Sequence, residues 1–324
     1  MEQGEAEQAG TSAPLAGIQR ELLGAHFLLL ARLLRRSARA DYAGFQPQNL
    51  VERRLVLMLF RAEEARVSEL AAILGNDVAQ VSRALGSLRA AGLAHREKQR
   101  DPYALTPAGV RLGALLDEVA WRREEELAQG VHPQEMFELA GLLSHLLTRA
   151  TALLAEEVAL ARATEPADDR AEHGLTGSVP EIHSRLQSAV LNLSMIIARS
   201  ATLSFKRLAG LSNYEWRLLA NAASRPGISF MELVGMVDSD KAQVSRALDG
   251  MVHSGVLART GGQRRQAVRF ALTDEGHRLH AIMSADAMRR NTLLQADLKP
   301  GQRRRLKHYI ERLIANAAAM ADRA

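Results

Sequence analysis

Apolar positions along this chain recur at spacings of three and four residues over most of its length, the period of amphipathic helices. Ile18, Leu22, Ala25, Leu29 and Leu33 predict a helix from about Ile18 to Ala40. Ile182, Leu186, Leu193, Ile196 and Ile197 predict another from about Pro180 to Leu203, with Pro180 suited to the first turn. Longer helical patterns cover about Pro107–Gln129, His132–Ala163, Asp274–Ala296 and Pro300–Asp322. Between them lie shorter units. Ser229-Phe230-Met231-Glu232 reads as a capping box that opens a short helix, and Asp238 or Ser239 caps a second one that stops near Ser254-Gly255. Ser68, Gly75-Asn76-Asp77 and Ala91-Gly92 punctuate the first half in the same way. Two short helices joined by a tight turn form a helix-turn-helix. The period then switches to two, because Val268, Phe270 and Leu272 alternate with Arg269 and Ala271. Gly261-Gly262 and Arg264-Arg265 precede this strand at a hairpin tip, so a β-wing follows the helix-turn-helix.

The pattern occurs twice. Ala79-Gln80-Val81-Ser82-Arg83-Ala84-Leu85 reappears as Ala242-Gln243-Val244-Ser245-Arg246-Ala247-Leu248, 163 residues further on. Glu69-Leu70 matches Glu232-Leu233, Leu55 matches Leu218 and Gly92 matches Gly255 at the same offset. Two copies are too few for a solenoid and suit one chain imitating a homodimer. The expected organisation is a disordered tail (1–14), a first copy (15–162), an acidic Pro- and Gly-containing linker (163–179) and a second copy (180–324). The 17 linker residues reach roughly 55–60 Å when extended, enough to join two lobes. The predicted fold is mainly α with small β-wings.

Composition narrows the function. Aromatics make up only 4% of the residues, so packing rests on Leu, Ala, Val and Met, which favours helices over β-sandwiches. The absence of cysteine excludes disulfides, thiol redox sensing and Cys-based zinc sites. The net charge of +5 is modest, and its placement matters more than its size. No apolar run approaches the roughly 18 residues of a membrane span, and the acidic N-terminus lacks the features of a secretory signal. A cytoplasmic protein without a membrane partner is expected.

The second short helix of each unit carries the most specific chemistry. Val81, Leu85 and Leu88, like Val244, Leu248 and Met251, fall on one face and must pack inward. Gln80 and Arg83, and likewise Gln243 and Arg246, lie three apart on another face. Glutamine can bridge an adenine edge and arginine can hold a guanine edge with two bonds. Ser82 and Ser245 can donate to phosphate. The same residue types also suit an ordinary wet helix face. Their exact duplication, and the wing residues Arg259, Arg264, Arg265 and Arg269, shift the balance towards double-stranded DNA.

With these residues in place, the chain resembles the MarR family of winged-helix regulators. The resemblance rests on Ser239-Asp240-Lys241-Ala242-Gln243-Val244-Ser245-Arg246-Ala247-Leu248, on Gly255-Val256-Leu257-Ala258-Arg259, and on Leu272-Thr273-Asp274-Glu275-Gly276. In the first copy it rests on Gly92-Leu93-Ala94-His95-Arg96 and Leu105-Thr106-Pro107-Ala108-Gly109. It implies a dimer whose first and last helices interlock, here two winged helix-turn-helix domains on a shared pseudo-twofold helical core. It also implies a repressor released by a small, often aromatic or phenolic, ligand. The departure is the covalent duplication, which makes a monomeric chain an internal pseudo-dimer. The copies have diverged. Lys241 corresponds to Val78, and the first wing is four residues shorter, leaving Arg100 in place of the Arg264-Arg265 pair. The expected DNA-contacting set is therefore Gln80, Ser82, Arg83, Arg100, Lys241, Gln243, Ser245, Arg246, Arg264 and Arg265.

The family analogy places an effector pocket where the first helix of a copy meets its reading domain. That nominates His26 and Arg36 in the first copy, with Arg32 beside them, and Asn192, Met195, Arg199 and Trp216 in the second. Each of these side chains also has an ordinary structural reading, Trp216 and Met195 as core and the arginines as a solvated or lobe-facing stripe. His277 and His280 are three apart, yet no further ligand converges on them, so no metal site is expected. No nucleophile elbow, His-Glu-x-x-His or phosphate-cradling loop is present, so neither an enzyme nor a cofactor is expected. The competing expectation is a protein-interaction scaffold with degenerate winged helices.

Overall fold

A computed structural model describes residues 15, 17–47, 49–74, 76–164, 185–237, 240–261 and 268–323. The first half runs α1 (Leu23–Asp41), α2 (Leu50–Ala62), β1 (Glu64–Ala65), α3 (Val67–Leu74), α4 (Val78–Ala90), β2 (Ala94–His95), β3 (Tyr103–Leu105), α5 (Pro107–Leu127) and α6 (Pro133–Thr164). The second half runs through the same order: α7 (Leu186–Ala209), α8 (Asn213–Ser224), β4 (Ile228–Ser229), α9 (Phe230–Val237), α10 (Lys241–His253), β5 (Leu257–Thr260), β6 (Arg269–Leu272), α11 (Asp274–Leu294) and α12 (Pro300–Asp322). The chain is mainly helical with two small antiparallel sheets, ordered β1-β3-β2 and β4-β6-β5. The two-residue strands β1 and β4 were not foreseen from the sequence, being too short to show alternation.

Three apolar cores form among the described residues. One lies under α2–α5 (Leu55, Leu70, Leu85, Leu116) and another under α8–α11 (Leu218, Leu233, Leu248, Met283). The third joins the halves and is built from α1, α6, α7 and α12, with Phe27, Leu30, Leu146, Leu193, Ile310 and Leu313 near zero exposure. Within it α1 lies along α12, and α6 lies along α7. The first helix of each half thus packs against the last helix of the other. A buried cluster adds to this clasp. Glu157 of α6 accepts from Arg207 of α7 at 2.9 Å and faces Arg290 of α11 at 3.6 Å, while Ser204 donates to Asp286 at 2.7 Å.

Several boundaries differ from expectation. The first helical pattern is broken: Gly17–Arg20 forms a separate 3-10 turn, and Leu22 is extended before α1 starts. The amide of Leu23 donates to the side chain of Asn291 on α11, so a long-range partner sets this helix start. Residues 180–184 of the predicted partner helix lie outside the described residues. That helix runs from Leu186 to Ala209, and Gly210 with its positive φ caps the end. The cap of α10 is Asp240 and not Asp238 or Ser239 (both outside the described residues), because its carboxylate accepts the amide of Gln243. Ser229 and Glu232 form the expected capping box, but in the first half Arg66 stands at that place and Ser68 lies inside α3. One sequence expectation about membranes also needs correcting. α7 contains an 18-residue window with a mean hydropathy of 1.3, so it is long and apolar enough to cross a bilayer. In the fold half of that window is buried, against α6, α1 and α11.

The same threonine side-chain contact ties the helix after each wing back to the turn before that wing. Thr106 Oγ1 donates to the Gly92 carbonyl at 2.7 Å and Thr273 Oγ1 to the Gly255 carbonyl at 2.6 Å. Both threonines then cap the next helix by accepting from Gly109 and Gly276. These two glycines have no room for a side chain, since a Cβ would sit 2.0 Å from the Leu93 carbonyl oxygen and 2.2 Å from that of Val256.

Candidate nucleic-acid interface and interior cavities

α4 and α10 begin alike. Asp77 accepts from the Gln80 amide at 2.7 Å and Asp240 from the Gln243 amide at 2.8 Å. Each cap satisfies one of the orphan N–H groups of its helix. Val81, Leu85 and Leu88 anchor α4, and Val244, Leu248 and Met251 anchor α10, all 1% exposed or less. Anchoring this face turns the other outward, where Gln80, Ser82 and Arg83 are exposed on α4, and Lys241, Gln243 and Arg246 on α10. Gln80 is partly held, because its Oε1 accepts from Asn76 at 2.6 Å.

The two faces are unequal in a way the sequence reading missed. Asp249 is exposed one turn beyond Arg246, where α4 has Gly86. Ser245 is half-buried and donates to Asp249 at 3.3 Å, so it is less free than Ser82. Arg259 on β5 also pairs with Asp249 at 3.7 Å, and Arg269 on β6 pairs with Glu232 at 3.4 Å. Part of the positive charge of the second wing is thereby balanced locally. The signal was available as a Gly-to-Asp difference between the repeats. In the first wing Arg100 is exposed, and its carbonyl accepts from Arg66 at 3.2 Å. Arg264 and Arg265 lie outside the described residues.

Two cavities lie where the helical core meets the short-helix units. The second-half cavity is about 100 Å³ and is lined by α1, α7, α8 and α11, with the Gly17–Arg20 turn across it. Trp216 lines it, 3% exposed and stacked on His280 at 5.3 Å. Burial lowers the pKa of His280, and the neighbouring His277 adds to the shift. Arg32 of α1 donates to the Met236 carbonyl and Arg217 to the Val237 carbonyl, both at 3.0 Å. Two cations therefore sit at the C-terminus of α9, where the helix dipole favours them.

The first-half cavity is about 350 Å³ and is lined by α1, α2, α5 and α7. Arg35, Arg39, Arg53, Arg54, Arg61, Arg123 and Arg185 border it, with Glu124 as the acidic residue among its walls. Glu124 accepts from the Leu186 amide, and from the Gln187 amide at 3.1 Å, so it caps α7 as Asn291 caps α1. Burial pushes its carboxyl above the ordinary range, against the pull of those two amides and of Arg185 and Arg61. Arg123 donates to Ser37 Oγ at 2.8 Å, and Arg290 donates to Ser200 Oγ at 2.5 Å.

The expected effector residues are scattered. Asn192 and Trp216 line cavities, but Asn192 faces the first-half cavity, because α7 crosses to the other half. Arg32 crosses in the opposite sense. His26 instead contacts the Leu22 carbonyl and Arg36 faces Asp322 at 4.0 Å. Met195 lies against Arg54 at 3.6 Å, and Arg199 is half-buried on α7, in neither cavity wall. Arg53 and Arg54, which matter most to the first cavity, were missed. They directly precede Leu55, the match of Leu218, and Trp216 at the place of Arg53 was the available clue. Among the described residues no three His, Asp or Glu side chains converge as a metal site would require.

No known family model matches the chain, and no curated protein matches it. Some solved structures resemble part of it. A MarR protein from Peptoclostridium difficile is 16% identical over 46% of this chain and 97% of its own, with a TM-score of 0.40. The transcriptional regulator SlyA is 18% identical over 37% of this chain and 84% of its own, with a TM-score of 0.33. Bordetella bronchiseptica BpsR, whose DNA binding is regulated by 6-hydroxynicotinic acid, is 18% identical over 34% of this chain and 87% of its own, with a TM-score of 0.31. Each likeness spans less than half of this chain.

Proposed function

We propose that the chain is a sequence-specific double-stranded DNA-binding transcriptional regulator of the MarR type, working as a single-chain pseudo-dimer. The observation that carries this reading is the pairing of two like units, each of which buries one face of a short helix and exposes a Gln-x-x-Arg pair. The clasp of α1 on α12 and of α6 on α7 supports a fixed relation between them. Dimeric readers bind half-sites roughly 34–36 Å apart, and an internal clasp offers the same arrangement without a second chain. In this reading Gln80, Arg83, Gln243 and Arg246 read base edges, while Ser82, Lys241 and Arg100 meet phosphates. The proposed role is repression, relieved when a small ligand enters a cavity. Arg32 and Arg217 support such coupling, because they tie the second cavity to the end of α9, the first helix of the helix-turn-helix.

The unequal faces predict an imperfect palindrome with one degenerate side. The second wing is longer, so replacing Arg264 and Arg265 by alanine weakens binding more than replacing Arg100; equal losses would remove the asymmetry. A gel-shift titration with the promoter beside its own gene, run at several salt concentrations, tests the whole reading. A specific complex whose affinity falls steeply with salt is the expected result. Weak, sequence-blind association erased by salt would favour a scaffold. Light scattering is expected to give a mass near that of one chain.

A further inference from the structure

The two cavities occupy matching places with different chemistry. We propose that the first-half cavity is a binding site, one per chain, for a small dianion on an apolar body, a dicarboxylate or a phosphoester gripped by Arg54 and Arg35. The regulator reading gives this site its consequence; binding itself does not depend on it.

The argument begins with charge. Seven arginines and one glutamate border the cavity. Carboxylates behind the wall take three of the seven: Asp41 pairs with Arg123, while Asp117 pairs with Arg61 at 2.8 Å and Arg185 at 2.9 Å. Arg54 and Arg35 have no such partner among the described residues. Among the described residues Arg54 reaches neutral acceptors, Asn192 Oδ1 and Met195 Sδ. Its pKa is pushed down to about 10, first by burial and then by the charge of Arg35. Arg54 is half-buried and Arg35 exposed, and two like charges beside one cavity favour an anion that joins them. A guanidinium fork fits a carboxylate or phosphate with two parallel bonds, so two guanidinium groups match two negative charges.

Shape supplies the rest. Leu57, Met58 and Leu191 give the cavity an apolar wall, and its volume lies in the range of small-molecule sites. The second-half cavity lacks this grip. At the places of Arg53 and Arg35 it has Trp216 and Ala198, and the counterpart of Arg54, Arg217, donates to the end of α9. A homodimer would carry two equal sites, whereas this chain carries one of this kind.

Calorimetry on the full chain tests the proposal, with phthalate, phenyl phosphate, benzoate and benzamide as probes. One equivalent of phthalate or phenyl phosphate is expected to bind, at least tenfold more tightly than benzoate, and the tighter of the two dianions assigns the headgroup. Benzamide is expected not to bind. Arg54→Gln and Arg35→Gln should each weaken binding at least tenfold. Without ligand, Arg54→Gln should melt no lower than the parent, since it removes a charge that burial disfavours; an arginine kept for structure alone would lower the melting temperature. Lys307→Gln, at an exposed ion pair outside both cavities, should leave affinity and stoichiometry unchanged. Two equivalents per chain, benzamide binding as tightly as phthalate, or no dianion binding at millimolar concentration would each overturn the proposal. Failure of dianion binding with a specific DNA complex intact sinks this site alone. Dianion binding without any DNA complex leaves the site standing and sinks the regulator reading.

Discussion

Glu157 is the sharpest place to test what holds the halves together. It is 1% exposed, and three arginines surround it: Arg207 at 2.9 Å, Arg290 at 3.6 Å and Arg289 at 3.8 Å. Glu157→Ala leaves these cations facing a small void. Breaking a buried ion pair by deleting one partner costs about 3–5 kcal/mol. Two features place this site at the lower end. Asp286 remains beside Arg290 and Arg289, and Arg207 is 29% exposed and can turn towards water. The expected loss is therefore about 3 kcal/mol. For a chain of 324 residues the unfolding entropy is about 0.7 kcal/mol/K, which turns that loss into a fall of about 4–5 °C in melting temperature. Thermal unfolding followed by circular dichroism reads this directly, with Glu311→Ala as the control. Glu311 forms an exposed pair with Lys307 at 3.9 Å, and such pairs contribute about 0–1 kcal/mol. If Glu157→Ala melts no lower than Glu311→Ala, the cluster is not a fastening between the halves, and the reasoning from burial fails.

Three further outcomes follow from the same geometry. Gly276→Ala forces a Cβ against the Val256 carbonyl and is expected to cost at least about 1–3 kcal/mol in urea unfolding. Gly141→Ala, in open space on α6, should instead gain about 0.5–1 kcal/mol; equal effects would contradict the close approach. Because the folded-state pKa of Glu124 lies above its ordinary value, the folded chain holds that proton more firmly than the unfolded one, and this contribution is lost as pH rises through the folded value. Glu124→Gln should therefore gain on the parent protein between pH 4 and pH 7 in urea midpoints, and a flat difference would refute the shift. Arg83→Ala and Arg246→Ala should each cost about 1–3 kcal/mol of DNA affinity and relax sequence preference at one position in a binding-site selection. A uniform loss across all sequences would instead place these side chains on phosphates.

Short-range chemistry was readable from the sequence. The buried triads of α4 and α10, their exposed Gln and Arg, the Ser229–Glu232 capping box and the limits of α12 follow from spacing and caps alone. What was hidden depends on partners far along the chain. The periodicity from Ile18 onward is continuous, yet the helix breaks before Leu23 because Asn291 accepts its amide. The cross-over of α1 and α7 was equally hidden, so Arg32 and Asn192 were placed with the wrong cavity. A residue's own helix says which face it occupies, not which half that face meets. The four-residue difference between the wings also obscured a match that the structure makes plain, since Arg123 and Arg290 serve the same role on Ser37 and Ser200.

The packing of α1 on α12 also bears on how the chain is made. The apolar flank of α1, with Phe27, Leu30 and Leu34, leaves the ribosome before its cover at 300–322, which is made roughly 270 residues later. At about 5–20 residues per second, that surface waits roughly a quarter of a minute to a minute for its partner. During that interval a nascent chain can borrow the same surface from a neighbour on the same message, so slow synthesis and crowded polysomes should favour helix-exchanged pairs of chains over the self-closed form.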